Sequence, residues 1–138
     1  MSTRARIALE LEDGTVKSIY CHHDGYINGA GKNLFNNWDL ESVAELIEGG
    51  NISGLGFNLE TTVFYVRDNE EEMEDNVADI HESIDDFFEG DIEMFGYLLT
   101  SDGEWLVKEN TAFSSGEVSK LGDILYGEDE PDVNEYDD

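Results

Sequence analysis

The chain has 138 residues, of which 34 are acidic and 7 are basic, so its formal net charge at pH 7 is −27. Its length fits one domain, its hydrophobic content of 39% allows a packed core, and its single cysteine excludes an intramolecular disulfide. Charge of this sign excludes nonspecific binding to nucleic acid and to anionic membranes, because both require a basic surface. We therefore expect a basic partner.

The chain begins with a predicted β-hairpin. Apolar residues alternate over residues 4–11, and residues 15–21 are rich in β-branched and aromatic side chains. Asp13-Gly14 lies between them and is a strong hairpin-turn signal. We therefore predict two antiparallel strands here.

Two helices are predicted after this hairpin. A glycine-rich loop leads into a short helix over about residues 30–36. The next helix can begin at a cap formed by Asp39 or Ser42, where Ser42 and Glu45 resemble a capping box, and it ends at the glycine pair 49–50.

The second half of the chain adds the remaining elements. In chain order they are a loop over 51–58, a strand over 61–67, the longest helix over 69–90, a hairpin with strands over 92–100 and 104–108 around Ser101-Asp102-Gly103, and a short helix over 118–126. Together they predict an α+β domain over 1–126, with an antiparallel sheet of two hairpins plus one strand packed against two or three helices. Residues 127–138, GEDEPDVNEYDD, are predicted to be a disordered acidic tail.

The negative charge is concentrated in the second half. Residues 1–68 hold ten acids and five bases, whereas residues 69–138 hold twenty-four acids and two bases. Twelve acids and no lysine or arginine lie between Asn69 and Glu93. Salt adaptation favours a more even distribution, so this asymmetry indicates a face with a binding role.

A helix over 69–90 would separate its apolar and acidic residues. The predicted core stripe consists of Met73, Val77, Ile80, Ile84, Phe87 and Phe88. The opposite face would carry acids spaced three and four residues apart, in a line about 27 Å long. The predicted partner-binding residues are Glu70, Glu71, Glu72, Asp75, Asp79, Glu82, Asp86 and Glu89. Such a line approaches the charge spacing of a nucleic-acid strand. A merely solvated helix face and salt adaptation are the alternatives.

The segment Cys21-His22-His23-Asp24 is the other chemical candidate. Cys, His and Asp can all bind zinc, and Cys with His can form a nucleophilic pair. Adjacent residues of a strand point to opposite faces, however, so Cys21, His22 and Asp24 are weak metal candidates. A buried, hydrogen-bonded histidine in a turn is the simpler interpretation. The neighbouring glycines lack the P-loop pattern.

Residues 17–26, KSIYCHHDGY, followed by Gly31-Lys32, resemble a group of small bacteriophage and bacterial proteins of uncharacterised function. The resemblance covers roughly residues 1–55. His23 stands where that group usually has tryptophan. The resemblance implies a viral origin and a shared core of a hairpin and helices, and by analogy it favours a host-directed inhibitor.

We predict an acidic interaction protein, encoded by a phage and present in the host cytoplasm. It would inhibit a basic nucleic-acid-binding protein of the host by presenting a DNA-mimicking surface. We predict no catalytic activity, no cofactor, no direct binding of nucleic acid and no membrane span, since no run of 18 apolar residues exists. A small metal-binding or catalytic domain centred on the segment Cys21-His22-His23-Asp24, and a salt-adapted domain, remain alternatives.

Overall fold

The computed structural model describes residues 2–111 and 116–127. This part of the chain forms an α+β fold with an eight-stranded, mostly antiparallel open sheet and four α-helices, so the predicted fold class is confirmed. The strands are β1 (Ala5–Glu10), β2 (Val16–Cys21), β3 (Ile52–Gly54), β4 (Val63–Phe64), β5 (Asp79–His81), β6 (Phe95–Leu99), β7 (Trp105–Glu109) and β8 (Ser119–Lys120). The helices are α1 (Lys32–Asn37), α2 (Leu40–Gly49), α3 (Ile84–Glu89) and α4 (Leu121–Tyr126).

The sheet joins the two halves of the chain. Its strand order is β4-β3-β2-β1-β6-β7-β8, and β5 pairs with β2. The predicted hairpins are present as the antiparallel pairs β1–β2 and β6–β7. The central pair β1–β6 is parallel, with Ala5 opposite Phe95 and Leu9 opposite Leu99. This long-range pairing places the second hairpin beside the first.

Two hydrophobic clusters cover the two faces of the sheet. The larger cluster packs α1, α2 and α4 against one face, through residues such as Leu34, Leu46 and Leu121. The smaller cluster packs α3 against the other face, where Phe87 and Phe88 are almost fully buried. Because α3 has only six residues, it covers only part of the second face, and polar side chains lie on the rest of that face.

Local sequence signals that were predicted for the hairpins and α2 are present in the structure. Gly14 and Gly103 turn the two hairpins with φ of 90° and 92°, in the left-handed region that favours glycine. Asp39 caps α2 by accepting a hydrogen bond from the Ser42 backbone N–H, while Ser42 Oγ accepts one from the Asp39 N–H. The capping box is therefore formed by Asp39 and Ser42, and not by Ser42 and Glu45.

The predicted helix over 69–90 is wrong. Its residues form a 3₁₀ turn at Met73–Asp75, strand β5 and the six-residue helix α3. Helical spacing of apolar residues is a local signal, and here it is overridden by the pairing of residues 79–81 with β2. The predicted strand over 61–67 likewise shortens to β4, and the predicted loop over 51–58 contains β3.

Two further sequence predictions concern the acidic tail and the absence of a membrane-spanning segment. The predicted tail lies outside the described residues except for Gly127. Within residues 2–111 and 116–127, no helix has the length and apolar content that crossing a bilayer would need.

Candidate protein-interaction surface

All eight predicted partner-binding carboxylates are exposed, but loops, a 3₁₀ turn, a strand and a short helix carry them instead of one long helix. Glu70, Glu71 and Glu72 lie in a loop, and Asp75 ends the 3₁₀ turn. Asp79 begins β5, Glu82 follows β5, and Asp86 and Glu89 belong to α3. We call these eight exposed acids the acidic segment. The predicted straight line of charge is wrong, because these residues do not belong to one continuous helix.

A buried asparagine fixes the first part of the acidic segment. The Asn76 side chain is 5% exposed, and its amide donates to the Glu72 carbonyl (2.9 Å) and to Glu71 Oε1 (3.3 Å). The Asn76 carbonyl accepts from the Asn51 N–H at 2.9 Å, which ties this part to the residue before β3. A buried amide with its partners satisfied holds a loop in one conformation. The carboxylates of residues 70–75 are therefore presented on an ordered loop.

The side chains of Arg6 and Ser18 join β5 to the strands β1 and β2. Arg6 donates from Nε to Ser18 Oγ (3.0 Å) and from Nη2 to the Ser18 carbonyl (3.1 Å) and Asp79 Oδ2 (2.9 Å). Ser18 is fully buried, and its Oγ lies 2.8 Å from His81 Nε2. The network therefore joins β1, β2 and β5 through polar contacts.

His81 is held near its neutral form by this environment. Burial lowers its pKa from the ordinary value, and the Arg6 charge lowers it further, while Asp79 and Asp86 act in the opposite direction. Its ring also packs edge-on against Phe87, with centroids 5.2 Å apart. The imidazole thus acts as a structural hydrogen-bonding partner of Ser18.

Helix α3 supplies the last two acids of the segment. Ser83 caps it by accepting a hydrogen bond from the Asp86 N–H at 3.1 Å. At the other end, Lys108 Nζ donates to the Phe88 carbonyl at 2.9 Å, where a cation suits the helix dipole. Asp86 lies in the first turn, where the dipole favours a negative charge. Both ends of this short helix are therefore stabilised by side chains.

Half of the predicted core stripe faces water. Met73, Val77 and Ile80 are 40%, 58% and 71% exposed, respectively. Phe87 and Phe88, by contrast, are buried against the sheet as predicted. The apolar seam expected behind the acids exists only along α3, and exposed apolar side chains lie among the acids of residues 70–82.

The charge of the acidic segment is largely uncompensated within the described residues. Asp79 alone among its eight acids is ion-paired there, to Arg6 at 2.9 Å, and the Asp79 side chain is itself 65% exposed. The remaining ion pairs of that part of the chain join Arg67 to Asp68 and Lys120 to Glu104. Exposed pairs of this kind contribute only about 0–1 kcal/mol each, so they leave the negative potential in place.

The Cys21–Asp24 segment does not assemble a site. Cys21 is fully buried, its thiol contacts the His23 carbonyl at 3.4 Å, and burial raises its pKa to about 12. His22 Nδ1 lies 2.6 Å from the Tyr20 hydroxyl, and His23 hydrogen-bonds to a serine near the N-terminus. No group of three His, Cys, Asp or Glu side chains in the described ranges is placed to hold a metal ion. The structure therefore does not bring Cys21, His22 and Asp24 together.

Sequence reasoning missed the residues that position β5. Arg6 lies between the buried apolar residues Ala5 and Ile7 of β1, and Ser18 of β2 lies on the same face of the sheet. A charged residue within an apolar strand is the signal that could have pointed to a buried polar network. The acidic partner of Arg6 is Asp79, which lies 73 residues later in the chain, so the local sequence could not identify it.

Comparisons with known proteins add nothing to this geometry: no family model matches the chain, and neither a curated protein sequence nor a solved structure matches it significantly. The resemblance of residues 17–26 to a phage and bacterial group stays a prediction.

Proposed function

We propose that this protein is an acidic interaction protein that binds the basic surface of a nucleic-acid-binding protein through the acidic segment. The observation that carries the proposal is the exposure of all eight carboxylates of the acidic segment, with Asp79 the one ion-paired member among the described residues. Concentrated charge of one sign steers an oppositely charged partner and raises the rate of encounter.

The finer form of the proposal concerns the partner. A groove that binds nucleic acid is lined by lysine and arginine, so a dense field of carboxylates competes for the same residues. We propose that the partner is a host protein of this kind and that a phage encodes the inhibitor. Regular helical spacing of the acids gives no support, because the acids do not lie on one continuous helix. The support is charge density and exposure, not phosphate-like periodicity.

The test compares two variants that lose the same charge. One replaces Glu70, Glu72, Glu82 and Glu89 with glutamine, and it removes four exposed acids of the acidic segment. The control replaces four exposed glutamates of the first half with glutamine, namely Glu12, Glu41, Glu45 and Glu60. The immobilised proteins are incubated with bacterial lysate at low and at high salt, and bound proteins are eluted with duplex DNA and identified.

The wild type and the control should retain nucleic-acid-binding proteins at low salt and release them to duplex DNA, whereas the segment variant should lose them. Equal retention by all three proteins at low salt would contradict a role for the acidic segment. Absence of nucleic-acid-binding proteins from every eluate would reject the proposal. Salt adaptation predicts a different result, since the wild type would then unfold at low salt and refold as salt screens its repulsion.

A further inference from the structure

A groove distant in sequence from the acidic segment combines an aromatic wall with an acidic rim. It lies where the start of α2, the turn of the β6–β7 hairpin and the start of α4 meet, and its volume is about 560 Å³. That volume falls within the range of about 300–1,000 Å³ that is usual for ligand sites. Both tryptophans of the chain, Trp38 and Trp105, line it.

The apolar part of the groove has an exposed portion and a buried portion. Phe35 and Leu40 are each 40% exposed, whereas the two tryptophans are 4% and 5% exposed and form its deeper wall. Gly122 lies so close to the Phe35 ring that a Cβ at this position would approach it to 2.9 Å. The absence of a side chain at Gly122 therefore leaves room for the Phe35 ring beside α4.

The rim of the groove is negatively charged. Four acids line it together with one lysine, and the lysine, Lys120, is 3.4 Å from Glu104. The Asp39 carboxylate is occupied by its hydrogen bonds to Ser42 at the start of α2. Asp102 and Asp123 form no ion pair within residues 2–111 and 116–127. These two carboxylates are thus free to meet a cation that enters the groove.

We propose that this groove binds an arginine side chain, together with the apolar residue beside it, on a peptide segment of a partner protein. A guanidinium group matches both features, because it pairs with carboxylates through its planar donors and stacks on aromatic rings. A hydrated metal ion would gain nothing from the aromatic wall, and a neutral apolar ligand would gain nothing from the carboxylates. The proposal is independent of the acidic segment, whose residues do not line the groove.

The two tryptophans provide the measurement. Their indole N–H signals are followed by NMR on the full ¹⁵N-labelled chain while N-acetyl-Arg-Leu-amide is added. The matched probe is N-acetyl-citrulline-Leu-amide, which has the same shape without the charge. Agmatine, a guanidinium compound with no peptide bond, tests whether the apolar neighbour matters.

The Arg-Leu peptide should shift both indole signals saturably, and the citrulline peptide and agmatine should each bind at least tenfold more weakly. The double variant Asp102→Asn, Asp123→Asn should bind the Arg-Leu peptide at least tenfold more weakly than the wild type. The control double variant Asp24→Asn, Asp91→Asn loses the same charge outside both the groove and the acidic segment, and it should stay within twofold. Absence of indole shifts, equal binding of the citrulline peptide or of agmatine, or equal loss in both double variants would overturn the proposal.

Discussion

Replacement of Arg6 by methionine tests the polar network that holds β5 on the sheet. Methionine keeps most of the apolar stem of Arg6 and removes its guanidinium. The Arg6 side chain is only 12% exposed. The change deletes two hydrogen bonds to the fully buried Ser18, at 3.0 and 3.1 Å, and the ion pair to Asp79. We expect the free energy of unfolding to fall.

The size of this loss follows from the exposure of each contact. Hydrogen bonds to a charged group contribute about 1.5–3 kcal/mol in total when their partner is buried, as Ser18 is. The pair with Asp79 adds roughly 0–1 kcal/mol, because the carboxylate is 65% exposed and screened. Arg6→Met should therefore cost about 1.5–4 kcal/mol, and Asp79→Asn should cost no more than about 1 kcal/mol.

Urea denaturation followed by tryptophan fluorescence gives these free energies. Arg4→Met is the matched control, because Arg4 is exposed and its loss changes the net charge equally. The control should stay within about 0.5 kcal/mol of the wild type. If Arg4→Met destabilises as much as Arg6→Met, the effect is one of net charge and not of the buried network. If Asp79→Asn costs as much as Arg6→Met, the exposed carboxylate is not screened as argued.

Three further predictions concern single groups. Tyr97→Phe should lower the free energy of unfolding, measured by urea denaturation, by about 1–3 kcal/mol, because the Gly25 carbonyl loses the 2.6 Å hydrogen bond from the buried hydroxyl. Tyr126→Phe, which changes an exposed tyrosine, is the control, and an equal loss there would contradict this prediction. The Cys21 thiol, whose pKa burial raises to about 12, should resist a thiol reagent such as DTNB in the folded protein and react in urea, and rapid reaction without urea would refute the burial. Burial lowers the pKa of His81, so its contribution to stability is present above the ordinary value of 6.5 and is lost as pH falls through that value toward the folded pKa. Between about pH 7.5 and pH 5.5, the wild type should therefore lose more free energy of unfolding than His81→Gln. Identical pH dependence of the two proteins would exclude this role.

Elements with a local cause could be predicted from the sequence. Turn residues at Asp13-Gly14 and Asp102-Gly103 set both hairpins, and a capping side chain at Asp39 set the start of α2. Such signals act over a few residues, so no knowledge of the tertiary fold is needed to interpret them.

Elements with a distant cause could not be predicted. Residues 79–81 form a strand because β2 offers an open edge and Arg6 offers a partner, and both lie more than 60 residues earlier. The acids were correctly predicted to be exposed, but their arrangement in space was not, because it depends on that strand. The groove beside Trp38 and Trp105 was missed for the same reason, since it is built from three separate parts of the chain.

The parallel pairing of β1 with β6 also has a consequence for synthesis of the protein on the ribosome. Ala5 finds its neighbour Phe95 only after ninety further residues have been translated, so the first hairpin emerges with one edge of β1 unsatisfied. Contacts this distant in sequence slow folding and leave strand edges available to other chains while translation continues. A nascent chain stalled before β6 would carry the β1–β2 hairpin without the strand that completes the middle of the sheet, and it would depend on chaperones until translation resumed.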